Sequence, residues 1–477
     1  MASISNLGAG TSLDLNTLYT QLETAEQSKL TTITNQQSTY NAQLSAWGKL
    51  QSSLQSLQTA TAALGKTDTW NSASVTSTNT SFTATTTSGA PVGSYTVNVS
   101  KVAKAQVLTT ASMASSSTQL GSTTGGTRTL TITQPGTKDP LKIELSDSAD
   151  TSLNGIAKAI NNAGGNVNAS VIKATDGNYR LMLTSKTTGT DGDMTITVTG
   201  DDTLQNAIGY DSTTKTGAMN LQSASQNAKL TVNNIEIERQ SNTITDVLPG
   251  ITLSLKSEST ADETLEVSRA TDANKKAITD WVNAYNSLQS TINSLTKYVA
   301  VDPGTTQSSS NGPLIGDSQV RSVQSQLRGL LTEVQGSGAY KLMSQLGITQ
   351  DPTIAADGTL GNLKIDDTKL TKALTDNPDA IQDYFIGDGK TTGFATQMNN
   401  TLTTMLSTTT GKEGIVQNAK DGINSTLKTL DKRYDDMQAS IDATMARYKT
   451  QFTNLSTLVN KLTNTSNYLT QQFNSSS

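Results

Sequence analysis

From Leu427 onward the chain carries an apolar stripe at steps of three and four residues: Leu427, Leu430, Tyr434, Met437, Ile441, Met445, Tyr448, Phe452, Leu455, Val459, Leu462, Leu469 and Phe473. Only Ser466 interrupts it, and no proline follows Pro378. Alternating steps average about 3.5 residues, the repeat of a coiled-coil seam rather than the broad face of a globular helix. A helix cannot bury such a seam on itself, so the stripe requires a partner. A second stripe supplies one: Leu15, Leu18, Leu22, Ala25, Leu30, Ile33, Tyr40, Leu44, Trp47, Leu54, Leu57 and Leu64. Each segment spans roughly 80 Å as an unbroken helix. The expectation is two terminal helices side by side, with the rest of the chain inserted between them. At Ile441, Met445 and Tyr448 a step of four is followed by four and then three, a stutter that locally unwinds a supercoil. Two ordinary long helices on a globular core are the alternative. The narrow seam and the Ser-, Thr-, Asn-, Gln- and Lys-rich outer faces favour the coiled coil.

The 477 residues allow three or four domains. Aromatic residues make up 4% of them and charged residues 16%, so cores must be aliphatic and surfaces polar rather than charged. A chain this polar would stay disordered without periodicity, and here the periodicity is strong. Cysteine and histidine are absent. Disulfides, thiolate nucleophiles, the usual base near neutral pH and the commonest zinc ligands go with them. An enzyme is therefore the least expected class, and no cofactor or metal is expected. The net charge of −5 and the lack of a long basic run argue against nucleic acid. No apolar run reaches about eighteen residues, so membrane insertion is not expected. Met1 to Gly10 has neither a basic start nor an apolar core, so a cleaved secretory signal is not expected.

Inside the stripes the period changes. Thr11 to Asp14 fits a helix-start box that begins the first helix near Ser12, and Gly65 ends it. From Ser74 the alternation has period two, as in Tyr95, Val97 and Val99. Residues 111–127 read as a loop, and strand signals follow at Leu130, Ile143, Leu181 and Ile196. One short helix, Leu153 to Ile160, lies among them, and a polar stretch from Asp211 to Gln226 closes this block. Asn233-Asn234 reads as a two-residue hairpin turn and Pro249-Gly250 as another turn. Helical signals return at Lys275, with Ile278, Trp281, Val282, Tyr285, Leu288, Ile292 and Leu295 on one face. Asp317 caps a helix carrying Val320, Val323, Leu327, Leu330 and Val334, and Asn377-Pro378 opens another. The nesting puts helix outermost and β structure at the centre of the chain.

Several segments together resemble the flagellar filament-capping family, the hook-associated protein 2 family. They are Ile4 to Leu15 running on to Leu22 and Ala25-Glu26, Leu230 to Asn234, Ser241 to Leu253, Trp281 to Asn286, Leu314 to Ser318, Leu346 to Ile348 and Asp357 to Leu360. Asp150 to Gly189 is similar to an insert module shared among flagellar axial proteins. The resemblance implies a non-enzymatic protein that oligomerises into a cap at the distal filament tip. There it would promote folding and insertion of exported flagellin and prevent its loss. Implied partners are further copies of the chain, flagellin, hook–filament junction proteins, an export chaperone and host glycans. The implied location is the flagellum, reached through the flagellar type III apparatus. The implied fold is α+β multidomain: a terminal coiled-coil leg (1–42 and 435–477), a mainly helical domain (43–72 and 270–434) and two β-rich head domains (73–111 with 222–269, and 112–221). The expected coiled-coil and assembly interface comprises Leu15, Leu18, Leu22, Ile33, Tyr40 and Leu44, together with every stripe member from Tyr434 to Phe473. Another flagellar axial protein, of hook–filament junction or flagellin type, and a surface adhesin using the head domains are the alternatives.

The remaining candidates read as ordinary surface. Asp191-Gly192-Asp193 and Asp201-Asp202 lack the ligand spacing of a calcium loop and read as strand-end turns. Asp366-Asp367 and Asp435-Asp436 are neighbours that cannot face each other on a helix. Tyr434 and Tyr448 read as seam packing, whereas Phe473 reads as exposed.

Overall fold

The computed structural model describes residues 14–76, 79–124, 126–335 and 338–474. The opening signature before Asp14 and the helix start expected at Ser12 lie outside the described residues. In chain order the first elements are α1 (Leu15–Leu64), α2 (Thr67–Trp70), β1 (Ala73–Thr76), β2 (Phe82–Thr86), β3 (Gly93–Lys101), β4 (Ala105–Thr109), β5 (Arg128–Thr133) and β6 (Leu141–Leu145). Then come α3 (Leu153–Asn162), β7 (Val167–Thr175), β8 (Asn178–Thr188), β9 (Thr195–Thr199), α4 (Asp202–Ile208), β10 (Tyr210–Asp211), β11 (Thr216–Gly217) and β12 (Asn220–Ser223). Next are β13 (Ala228–Val232), β14 (Ile235–Arg239), β15 (Thr243–Leu248), β16 (Ile251–Leu255) and β17 (Glu263–Arg269). The chain ends with α5 (Thr271–Thr296), α6 (Ser318–Thr332), β18 (Ile348–Gln350), β19 (Leu363–Ile365), α7 (Asp367–Asp376), α8 (Pro378–Ile386), α9 (Phe394–Leu406) and α10 (Ile415–Asn474).

This is an α+β multidomain chain whose residues separate into two compact units, one of 1–67 with 274–477 and one of 68–273. In the β-rich unit every named strand pairing is antiparallel. A five-stranded sheet, β1-β17-β3-β13-β14, faces a three-stranded sheet, β15-β16-β2. Their inner faces bury Val97, Val99, Leu230, Leu265 and Val267 against Phe82, Ile244, Ile251 and Leu253. The alternation that marks these strands in the sequence is thus the inward set of a sandwich. Asn233 and Asn234 have φ of 49° and 65°, the left-handed pair that a two-residue hairpin turn needs.

A second cluster fills the space between β11-β10-β9-β5-β6 and β12-β4-β8-β7. Helix α3 covers it with Leu153, Ile156 and Ile160, and α4 adds Leu204 and Ile208. Strand β4 belongs to this second sheet, pairing with β8 and β12. The Asp211 to Gln226 stretch is not loop alone, since it contributes β11 and β12, whose residues are mostly exposed and so show no apolar alternation. Asp201 does more than end a strand. It caps α4 by accepting from Leu204 N–H at 3.0 Å and pairs with Arg128 at 2.7 Å, both side chains fully enclosed.

The helical unit is built on α1, α5, α9 and α10. The face expected on α5 is wholly buried, and Trp281 packs edge-on against Phe394 with centroids 5.0 Å apart. Trp281 donates its indole N–H to Thr61 Oγ1 on α1 at 3.0 Å, a buried link across 220 residues of sequence. Asp317 caps α6 through Gln319 and Val320 N–H. Helix α6 ends at Thr332, so Val334 falls beyond the face assigned to it and is exposed.

Candidate functional site

The strongest candidate site is the pair formed by α1 and α10. Helix α1 starts at Asp14, whose carboxylate accepts from Thr17 N–H at 3.0 Å and from its hydroxyl at 2.6 Å. These bonds, the hydroxyl one foremost, hold the Asp14 carboxyl below its usual range. Asp14 is therefore the N-cap of α1. Helix α10 runs for 60 residues. Three contacts fix the orientation: Gln51 with Lys420 at 2.9 Å, Gln37 with Asp431 at 2.7 Å, and Tyr19 with Phe452, ring centroids 6.5 Å apart. Partner numbers fall as α1 numbers rise, so the helices are antiparallel.

The seam between them is a small apolar cluster. Tyr19, Leu30, Ile441 and Met445 are buried at its centre, with Leu22, Tyr434, Met437, Tyr448 and Phe452 packed around them. Tyr448 stacks on Phe452 at 6.4 Å. Leu15 and Ile33 are also buried, and Tyr40 and Leu44 are half-buried. Leu18 is not part of the seam: it is 44% exposed, and Tyr19, at 7%, takes its place. Steps of three then four and of four then three fit the heptad equally well, and choosing the leucine over the tyrosine put the wrong residue inward. Burial raises the Tyr19 phenol above its usual value, and Glu23 adds to that. The stutter at Ile441 and Met445 falls at the buried centre of this apolar cluster, and both residues point into it.

Past Phe452 most of the stripe is exposed. Leu455 is 38% exposed, Leu462 61% and Phe473 72%; Leu469 is exposed as well and Val459 half-buried. Leu458 and Tyr468 join this exposed apolar row. The arrangement offers apolar surface and polar flanks, and nothing in it resembles reaction chemistry. Among the described residues no three Asp or Glu side chains group to hold a metal ion, and no helix is long and apolar enough to cross a membrane.

Comparison with known proteins places these features in context. Residues 11–106 match the family described as flagellar hook-associated protein 2 N-terminus, and residues 225–464 match its C-terminus. Residues 129–187 match the flagellin hook IN motif, which overlaps the insert module expected at 150–189. The chain is 47% identical to the flagellar hook-associated protein 2 of Escherichia coli K12, over 100% of this chain and 99% of that one. It is also 47% identical to that of Salmonella typhimurium LT2, over 99% of each. A crystal structure titled as the D1-D2-D3 domains of the flagellar cap protein FliD from Escherichia coli superposes with a TM-score of 0.67. It shares 44% identity and covers 80% of this chain and 99% of that one.

Proposed function

The chain belongs to the flagellar hook-associated protein 2 family, and from that premise we infer that it caps the distal tip of the bacterial flagellar filament. It is an assembly factor that promotes folding and insertion of flagellin and prevents its loss. The observation that carries this is the match over the whole chain length to relatives of that name, together with the superposition on a solved cap protein. The junction-protein, flagellin-like and adhesin readings are less favoured, because both terminal regions match this family in particular.

The finer parts of the reading rest on the residues. The chain acts without catalysis, a view supported by the lack of histidine and cysteine. It leaves the cell through the flagellar type III apparatus, escorted by a chaperone, and works beside hook–filament junction proteins; host glycans are candidate ligands of the β-rich domains. Residues 1–42 with 435–477 form the leg and 43–72 with 270–434 the helical domain; of the two head domains expected at 73–111 with 222–269 and at 112–221, the second also takes in β4, Ala105–Thr109. The seam residues from Leu15 to Leu44 and from Tyr434 to Phe452 hold the leg together. Leu455, Val459, Leu462, Leu469 and Phe473 contact neighbouring molecules, since an exposed apolar row of this length marks an interaction surface. Copies repeat one head-to-tail contact until it closes into a ring. Electron microscopy of the purified chain tests this: closed rings or plates support it, and monomers at every concentration or long filaments overturn it.

A further inference from the structure

A cavity of about 410 Å³ lies in the helical unit, beside α5, α6 and the β18–β19 pair. Its apolar wall is Leu331, Leu342, Met343, Ile348 and Leu363. Tyr285 and Arg328 line it as well. Three donors meet at this place, the Tyr285 hydroxyl, the Gln289 amide and the Arg328 guanidinium. The Tyr285 hydroxyl is shielded from solvent; its polar neighbours Arg328 and Gln289 are donors that face its oxygen, and among the described residues its own proton has no acceptor. One turn along α5, Gln289 uses its carbonyl to accept from Gln324 of α6 at 3.0 Å, and its own amide nitrogen is buried without a partner. One turn beyond Gln324 on α6 stands Arg328, which forms no salt bridge among the described residues. Gly361 lies against that guanidinium: a Cβ there would come within 2.9 Å of Arg328 Nη2, at the flexible end of the side chain. Its φ of +85° further favours glycine.

Buried donors without acceptors are costly, and an apolar chamber of this size lies within the range of small-ligand sites. We propose that this cavity binds a small apolar carboxylate, its hydrocarbon body among the leucines and its carboxylate on Arg328 with the Tyr285 hydroxyl. The acidic group supplies the acceptor that this donor set lacks, and its negative charge meets the Arg328 guanidinium, which has no carboxylate partner among the described residues. A neutral ligand of equal length would leave that guanidinium unmatched, so the site discriminates by charge as well as by shape.

Titration calorimetry of the full chain with octanoate and with octanol tests the assignment. Octanoate should bind saturably at one site with a Kd on the order of 1 mM, and octanol at least about tenfold more weakly. Arg328→Gln, at an exposed residue whose loss spares the core, should weaken octanoate at least about tenfold and leave octanol unchanged. Tyr285→Phe should weaken octanoate and spare octanol in the same way. Circular dichroism melts of both variants confirm that they fold. No saturable octanoate binding, as expected if ordered water alone satisfies these donors, would overturn the proposal. So would equal binding of octanoate to the wild type and to folded Arg328→Gln.

Discussion

Replacing Ile441 by alanine should open the terminal helix pair, whereas the same truncation at Leu455 should not. Ile441 is 2% exposed and sits among Tyr19, Leu30 and Met445. The substitution removes three carbons, worth about 2.4 kcal/mol of transfer at ~0.8 kcal/mol each, and the cavity left behind adds to that. Two helices can close inward more easily than a globular core, and alanine is the better helix former by a few tenths of a kcal/mol. The net cost is about 2 kcal/mol. Leu455 also loses three carbons, but it is 38% exposed, so roughly 1.5 kcal/mol of transfer is at stake and the better helix propensity of alanine brings the cost to about 1 kcal/mol. Amide hydrogen exchange is the assay, because it reads local opening where one global unfolding free energy is ill-defined for a chain of several domains. Ile441→Ala should speed exchange in residues 19–33 and 434–452 by roughly thirtyfold, the factor that corresponds to about 2 kcal/mol. Leu455→Ala should speed it severalfold at most. Equal effects would mean that Leu455 is covered as fully as Ile441, and the division of α10 into a paired half and an open half would be wrong.

Other consequences are local. Asp201 is pushed up by burial, but N–H bonds from Leu204 and Ser122 and the charge of Arg128 outweigh this and hold its carboxyl below the usual range. A depressed folded-state value contributes stability above the unfolded value, near pH 3.9, that is lost as pH falls through the folded one. Acid titration should therefore loosen the second β cluster only below about pH 4, and Asp201→Asn should cost about 3 kcal/mol at pH 7 by leaving the enclosed Arg128 only the 4.0 Å contact with Asp147, with a flatter acid response. Thr61→Val should cost about 1–3 kcal/mol in urea unfolding of the helical unit, because the Trp281 indole N–H would be buried without an acceptor. In the β13–β14 hairpin, Asn234→Gly should be neutral or stabilising by about 0.5 kcal/mol. Asn233→Ala should cost about 1–2 kcal/mol in thermal melts, because the Asn233 side chain accepts from Thr96 N–H at 2.9 Å.

What was legible in the sequence is what periodicity and turn chemistry control. The buried face of α5, the Asp317 cap and the Asn233-Asn234 turn follow from residue type and spacing, and the structure has each of them. Elements held by long-range pairing were not legible. Strand β12, Asn-Leu-Gln-Ser, has no apolar alternation and is a strand because β4 supplies its hydrogen bonds. Strand β7 is half exposed at a sheet edge, and α4 has seven residues, too few for a 3.6-residue period to declare itself. At the candidate site the two stripes were legible, but the exchange of Leu18 for Tyr19 was not, because hydrophobicity ranks the leucine higher while packing selects the ring. The donor cluster around Tyr285 has no sequence signature, since it depends on α5 meeting α6.

The central claim, that this chain caps a growing filament, is tested most directly in cells that lack their own capping protein. Supplying this chain should restore filament length and hold flagellin on the cell, whereas a chain carrying Leu455→Asp and Leu462→Asp should leave flagellin unpolymerised in the medium. Full-length filaments in cells given no capping protein at all, or continued loss of flagellin with the intact chain present at the filament tip, would contradict the account.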